Sequence, residues 1–178
     1  MDQLDLAQLT PDAWRDYRAI RLTALADAPS AFGSTLAAER LSREVDWRAR
    51  LAGRAQFVVR CRGETVGTAG GITDAGAESG AILVSMWVHP AWRGRGVGDL
   101  LVRGVLDWAR EQGHTEVRLW VSVGNAAAER LYARHGFVRT GESQPITTDD
   151  PARWEFAMAR TIDAAAVSES RWAAPDRV

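Results

Sequence analysis

The residues best suited to chemistry lie in Arg93-Gly94-Arg95-Gly96-Val97-Gly98, where three glycines alternate with two arginines and a valine. Before it runs an apolar stretch from Ala81 to Val88, which reads as a buried strand; Pro90 has no N–H to donate and should end the pairing. After it, Val97, Leu100, Leu101, Gly104, Val105 and Trp108 form one helical stripe, with Asp99, Arg103, Asp107 and Arg110 on the opposite face. A glycine-rich loop between a strand and a helix N-terminus suits an anion. Its free N–H groups can converge on phosphate oxygens, and the helix dipole adds partial positive charge. Without Cβ atoms, Gly94, Gly96 and Gly98 let the backbone approach a ligand closely. A tight turn in a solvated basic loop would use the same residues, so both readings stay open on spacing alone. The order of the glycines is not that of a dinucleotide fingerprint, and the Gly-Lys-Ser/Thr ending of a triphosphate loop is missing.

A second constellation lies downstream. Asn125-Ala126-Ala127-Ala128-Glu129-Arg130-Leu131-Tyr132 begins on a good N-cap residue and closes with His135-Gly136-Phe137. Helical spacing puts Asn125, Ala128 and Tyr132 along one edge, so an amide, a methyl and a phenol line up. A capped helix with a core tyrosine would look the same.

Together the two stretches resemble the GNAT superfamily of acyl-CoA-dependent N-acyltransferases. The loop is similar to that family's Arg/Gln-x-x-Gly-x-Gly/Ala signature, and the second stretch to its Asn-x-x-Ala-x-x-Leu-Tyr-x-x-x-Gly-Phe pattern. The resemblance covers Ala81 to Phe137, and the N-terminal run from Arg21 to Ser34 is also similar to that region of small GNAT enzymes. It implies an α/β (α+β) GNAT fold: a mixed, mostly antiparallel central sheet with helices on both faces and a splayed parallel strand pair. It implies acetyl-CoA as co-substrate, its pyrophosphate held by Arg93, Gly94, Arg95, Gly96, Val97 and Gly98. Pantetheine would pair with the backbone of Met86, Trp87 and Val88, and Asn125 would contact the cofactor. Tyr132 stands where the family places the general acid that assists the departing thiolate; a phenol of pKa about 10 and a thiol near 8.5 are close enough for that exchange.

One family feature is absent. Many members carry a glutamate on one of the two splayed strands, but Ala81 to Val88 has no carboxylate and the second position is Trp120. Glu116 lies earlier on that second strand, on the face of Arg118, Trp120 and Ser122 by period two. His89, Glu39, Glu44 and Glu155 remain as candidate bases, with His89 best matched in ordinary pKa. Without a strong base the acceptor should be an amine of modest basicity: an α-amino group or a small-molecule amine. At pH 7 an amine of pKa about 10.4 costs roughly 4.6 kcal/mol to deprotonate, against about 1–1.4 for one near 7.7–8.0. Trp87 and Trp120 could wall an apolar acceptor pocket or simply belong to the core, as could Trp154. The missing glutamate also leaves open a non-catalytic acyl-CoA-binding protein.

The elements that must position these groups follow in order. Gln3–Leu9 reads as an edge strand, and Thr10-Pro11 opens a helix that Ala28-Pro29-Ser30 breaks. Ala31–Leu51 reads as a second helical region interrupted near Leu41-Ser42. Gln56–Cys61 and Glu64–Ile72 form a hairpin across Arg62-Gly63, with Ala81–Val88 as the third strand of a meander. Thr115–Val123 is the next strand and should lie parallel to Ala81–Val88 across the intervening helix. Phe137–Thr140 and Arg153–Thr161 are the last strands, with a turn-rich Ser143–Pro151 between them. One domain over residues 1–162 and a partly ordered tail over 163–178 are expected. A net charge of −1 over 178 residues, 25% of them charged, argues against a nucleic-acid partner. Cys61 has no second cysteine to pair with, no run approaches a membrane span, and the N-terminus shows no signal pattern, so a cytoplasmic protein is expected. A small-molecule or peptide amine is the expected partner, no metal is implied, and a homodimer is compatible with the composition.

Overall fold

The computed structural model describes residues 3–77, 79–147 and 150–163. A sheet of seven strands runs through it in the order β1-β2-β3-β4-β5-β7-β6. The strands are β1 (Leu4–Leu9), β2 (Ala55–Cys61), β3 (Glu64–Thr73), β4 (Gly80–Val88), β5 (Glu116–Ser122), β6 (Val138–Thr147) and β7 (Asp150–Thr161). Every neighbouring pair is antiparallel except β4 and β5, as the strand-helix-strand order required. The helices are α1 (Trp14–Asp27), α2 (Leu36–Arg40), α3 (Glu44–Ala52), α4 (Val97–Glu111) and α5 (Ala126–Arg134). No helix among the described residues is long and apolar enough to cross a membrane.

Two cores divide the faces. On one, Val97, Leu101, Val102, Val105 and Leu106 of α4 and Tyr132 of α5 pack on Phe57, Val59, Ala69, Leu83, Leu119 and Val121. On the other, Tyr17, Ile20 and Ala24 of α1 and Trp47 and Leu51 of α3 cover Leu9, Val58 and Trp87. The interrupted helical region resolves into α2 and α3, parted at Leu41–Arg43. The tight β2–β3 hairpin places Arg62 and Gly63 both at positive φ (51° and 85°), as a two-residue primed turn demands.

One expectation needs correcting. Ser143 to Thr147 is strand, not turn: β6 continues to Thr147 and pairs with β7 through Ser143–Phe156, Gln144–Glu155 and Pro145–Trp154. Its side chains are exposed through most of its length, so no apolar alternation marks it. Pro145 is tolerated because β6 is an edge strand. The tail expected from residue 163 lies, beyond Asp163, outside the described residues.

Helix α4 sits unusually close to the sheet because glycines lie beneath it. A Cβ on Gly67 would come 2.7 Å from Val97 Cγ1 and 3.1 Å from Leu101 Cδ1, and one on Gly71 would come 2.6 Å from the Trp108 ring. This approach sets where the N-terminus of α4 points. Gly67→Ala should therefore destabilise the fold by about 1–3 kcal/mol through overpacking. At about 2–4 °C per kcal/mol for a chain of this size, a thermal melt should read a drop of several degrees. An unchanged Tm would show that α4 can move off the sheet freely.

Candidate active site

Strands β4 and β5 are paired only at their beginnings: Gly80 with Glu116, Ala81 with Val117 and Ile82 with Arg118. Beyond Ile82 they part. The cause is a bulge in β4. Thr68 of β3 pairs with Trp87 and Gly70 with Val84, so Ser85 and Met86 together oppose Ala69. Ser85 sits at φ 56°, a left-handed conformation that non-glycine residues seldom adopt. The backbone edge of β4 facing β5 thus has no strand partner past Ile82, which leaves its N–H and C=O groups for another extended chain.

The opening holds a cavity of about 340 Å³. Ile82 to Met86 form one wall and Trp120 to Ser122 the other; Asn125, Ala128 and Tyr132 of α5 line one end. Arg21, Phe32 and Glu155 complete it. Tyr132 is 5% exposed, its ring edge-on to Phe137 at 5.9 Å. Burial pushes its phenol well above the ordinary value, so the hydroxyl keeps its proton and acts as a donor. Burial is the whole cause of that rise; no hydrogen bond to a described residue contributes. Asn125 caps α5, its Oδ1 accepting from Ala128 N at 3.2 Å, which leaves the amide nitrogen for the cavity.

The anion loop opens at the other end of β4. Gly94 and Gly96 take φ 74° and 84°, and a Cβ at either would meet nothing within 4 Å, so the backbone there is both glycine-dependent and open in front. The first bond inside α4 runs from Leu100 N to Gly96 O at 3.1 Å, leaving the N–H groups of Val97, Gly98 and Asp99 without an acceptor in the helix. Gly98 has a different reason to be glycine: its Cβ would come 2.9 Å from Leu131 of α5. Asp99, an acid at this positive helix end, is occupied by Arg134 at 2.8 Å and His135 at 2.9 Å. The Arg134 bond, with His135 added, outweighs partial burial and holds its carboxyl at about 2.

Several expected site residues are placed elsewhere. Arg93 is committed to the scaffold, its Nε donating to Val88 O at 3.0 Å and its Nη2 to Asp27 Oδ2 at 2.8 Å. Arg95, stacked on Trp92 at 5.3 Å, is the loop arginine that carries no ion pair among the described residues. Trp87 is not an acceptor wall; the bulge turns it into the α1 core, 4% exposed, with its indole N–H on Asp27 Oδ2 at 2.9 Å. Val88 has its carbonyl taken by Arg93, so Met86 is the strand position that still lines the cavity. Trp120 does line it, whereas Trp154 is 45% exposed.

The candidate bases sort clearly. His89 caps the 3-10 turn at Pro90–Trp92, its Nδ1 accepting from Ala91 N, outside the cavity. Glu44 is exposed and paired with Arg48 at 2.7 Å. Glu116 lies on the paired part of β5, bonded to Arg118 at 3.0 Å. Glu39 is buried between Arg50 and Arg21. Burial alone would raise its carboxyl, but the bonds from Arg50 and Ser34 and the two arginine charges bring it below the usual range. Glu155 alone of the carboxylates lines the cavity among the described residues. It faces Ser122 across the β5–β7 ladder, and Gln144 Nε2 donates to its Oε1 at 2.9 Å. A scan of the two parted strands misses it because it comes from the strand next door.

Comparison with known proteins agrees with this layout. The profile of the Acetyltransferase (GNAT) family matches residues 9–137. N-acetyltransferase 8 of Rattus norvegicus is 37% identical over 90 residues, 49% of this chain and 40% of that protein, so the match spans less than half of the relative. A GNAT-family acetyltransferase from Streptococcus pneumoniae superposes with a TM-score of 0.75 at 20% identity, covering 90% of this chain and 99% of that one. The structure of yncA from Salmonella typhimurium, with its cofactor acetyl-CoA, gives 0.71 at 21% identity, covering 94% and 99%. At such identities the structural likeness speaks for the fold. The family profile, covering well over half the sequence and both motifs, carries the assignment: the chain belongs to the acetyltransferase (GNAT) family.

Proposed function

We propose that this protein transfers acetyl from acetyl-CoA to the primary amine of a small molecule. The observation that carries the reading is the parting of β4 and β5 around one cavity that holds a proton donor and a carboxylate, Tyr132 and Glu155. The residues fit the co-substrate. The open Gly94–Gly96 cradle and the N–H groups at the start of α4 without a helical acceptor suit a pyrophosphate, with Arg95 as the nearby cation. The unpaired edge of β4 at Met86 suits the amide-bearing pantetheine arm, and Asn125 stands beside it in the cavity wall. Acetyl-CoA supplies an acyl thioester activated for attack by an amine.

The chain's own groups then divide the proton work. An amine attacks only when neutral, and Glu155 is the cavity carboxylate able to take its proton. Tyr132, also in the cavity lining, donates a hydrogen bond to the sulfur as it gains charge. Backbone N–H groups at the bulge are fixed by the fold and supply donors for a developing oxyanion without reorganisation. The low-basicity acceptor inferred from the missing glutamate loses its premise once Glu155 is in the cavity. A cavity of about 340 Å³ still favours a small amine over a folded protein surface. A carboxylate and a phenol in one cavity also favour catalysis over passive acyl-CoA binding.

Three variants test these assignments. Gly96→Asp puts a Cβ and a negative charge into the cradle at positive φ; calorimetry should show acetyl-CoA affinity lost while circular dichroism is unchanged. Undiminished binding would remove the loop from the site. Tyr132→Phe removes only the hydroxyl, so stability should hold while kcat falls by about 10²-fold or more; a loss under about threefold would mean another group serves the sulfur. Glu155→Gln keeps the bond geometry to Gln144 and should lower kcat/KM by about 10²–10⁴-fold with acetyl-CoA affinity intact. Full activity in that variant would return the base to solvent.

A further inference from the structure

The acceptor side of the cavity contains a cation with more hydrogen-bonding capacity than the protein uses. Arg21, on α1, is only 8% exposed yet lines the cavity. A guanidinium has five N–H donors. Here Nη1 reaches Ser85 Oγ and Nη2 reaches Glu39 Oε1, both at 3.4 Å, the outer limit of a hydrogen bond. Nε is buried and has no partner among the described residues. The guanidinium carbon lies over the Phe32 ring, 4.5 Å from its centroid. Glu39 makes its close ion pair with Arg50, so two arginines share one buried carboxylate, and the cavity's other carboxylate, Glu155, makes no ion pair with Arg21. A buried cation left this poorly satisfied is unfavourable unless a further anion completes it.

We infer that Arg21 receives the carboxylate of the acceptor, and that the acceptor is a free α-amino acid with an apolar side chain. This rests on the acetyl-transfer reading above. A planar carboxylate is the group that a guanidinium fork satisfies bidentately. The position fixes the rest. Arg21 touches Ser85, the bulge residue itself, beside the open backbone edge at Met86. A carboxylate bound there lies next to the place where the acyl group must be presented, so the reacting amine is separated from it by few bonds. An α-amine meets that requirement, whereas a lysine ε-amine or the N-terminus of a peptide, whose first residue has no free carboxylate, does not. Glu155 is then available for the amine proton. The remaining wall, Phe32, Ile82, Val84 and Trp120, is apolar and suits an aliphatic or aromatic side chain.

The test is steady-state CoA release at saturating acetyl-CoA with the apolar L-amino acids, each compared with its carboxamide and its decarboxylated amine. The wild-type protein should prefer at least one free acid over both partners by about 30-fold or more in kcat/KM. Arg21→Gln should bring the acid-to-amide ratio of kcat/KM down to about one, whatever the absolute rates, and Arg21→Lys should recover part of the preference. The amide serves as the internal control for folding, and the wild-type comparison needs no variant at all. Equal use of acid, amide and amine would overturn the carboxylate site while leaving acetyl transfer intact. Acetyl-CoA binding by calorimetry with no acid in the panel acetylated would also overturn it. Failure to bind acetyl-CoA would instead overturn the acetyl-transfer reading.

Discussion

Everything at this site depends on one extra residue in β4. The bulge at Ser85 shifts the strand's alternation by one: Ala81 and Leu83 face the α4 core before it, Met86 and Val88 after it. Trp87 thereby turns to the α1 side and is buried there. The same kink swings β4 away from β5 after three residue pairs, and the cavity is the space between them. A non-glycine residue held at φ 56° costs on the order of 1–3 kcal/mol, so the surroundings must hold it in place. They do so through the Trp87 indole, anchored to Asp27, and through Arg21, whose Nη1 reaches Ser85 Oγ.

The bulge also couples the cavity to the anion loop. Asp27, at the end of α1, accepts from both Trp87 Nε1 and Arg93 Nη2, and Arg93 Nε closes onto Val88 O. One carboxylate thus ties a helix end, the strand after the bulge and the first residue of the loop. On the opposite face, Gly67 and Gly71 let α4 settle onto β3, and Gly98 lets α5 settle onto α4. The distance between the phosphate cradle and the parted strands is therefore set by packing, not by the loop's own sequence.

Much of this was legible before the structure. Alternating and helical periods located the meander, α4 and the β4–α4–β5 crossover, and cap residues located α5, because those signals are local. The β6 extension was hidden because an exposed edge strand carries no apolar alternation. Glu155 could be named only as one of four candidate bases, and the cavity position of Arg21 not at all, for a different reason. Each reaches the cavity through tertiary register, Glu155 by pairing opposite Ser122 and Arg21 by lying across from Ser85, and no sequence spacing encodes either neighbour. Trp87 stayed open between acceptor wall and core because the phase of its strand changes at Ser85, where the bulge turns it to the α1 side.

The state of Tyr132 bears on how proton transfer can be arranged here. Burial alone raises its phenol, with no charged neighbour acting on it, so it is a weaker acid than a free tyrosine and a poor source of a fully transferred proton to a solvated thiolate. But the same desolvation acts on any anion formed beside it. A thiolate held in that cavity is more basic than one in water, and the two proton affinities rise together. What the site needs is a donor that is protonated at every working pH and that strengthens its bond as sulfur gains charge. A phenol pushed above its ordinary range by burial, with no hydrogen bond to a described residue contributing, suits both conditions. The carboxylate of the cavity stands in a different setting: Glu155 is only partly buried and accepts a neutral amide donor from Gln144. The two cavity groups are thus set apart by burial, the phenol fully withdrawn from water and the carboxylate only partly so.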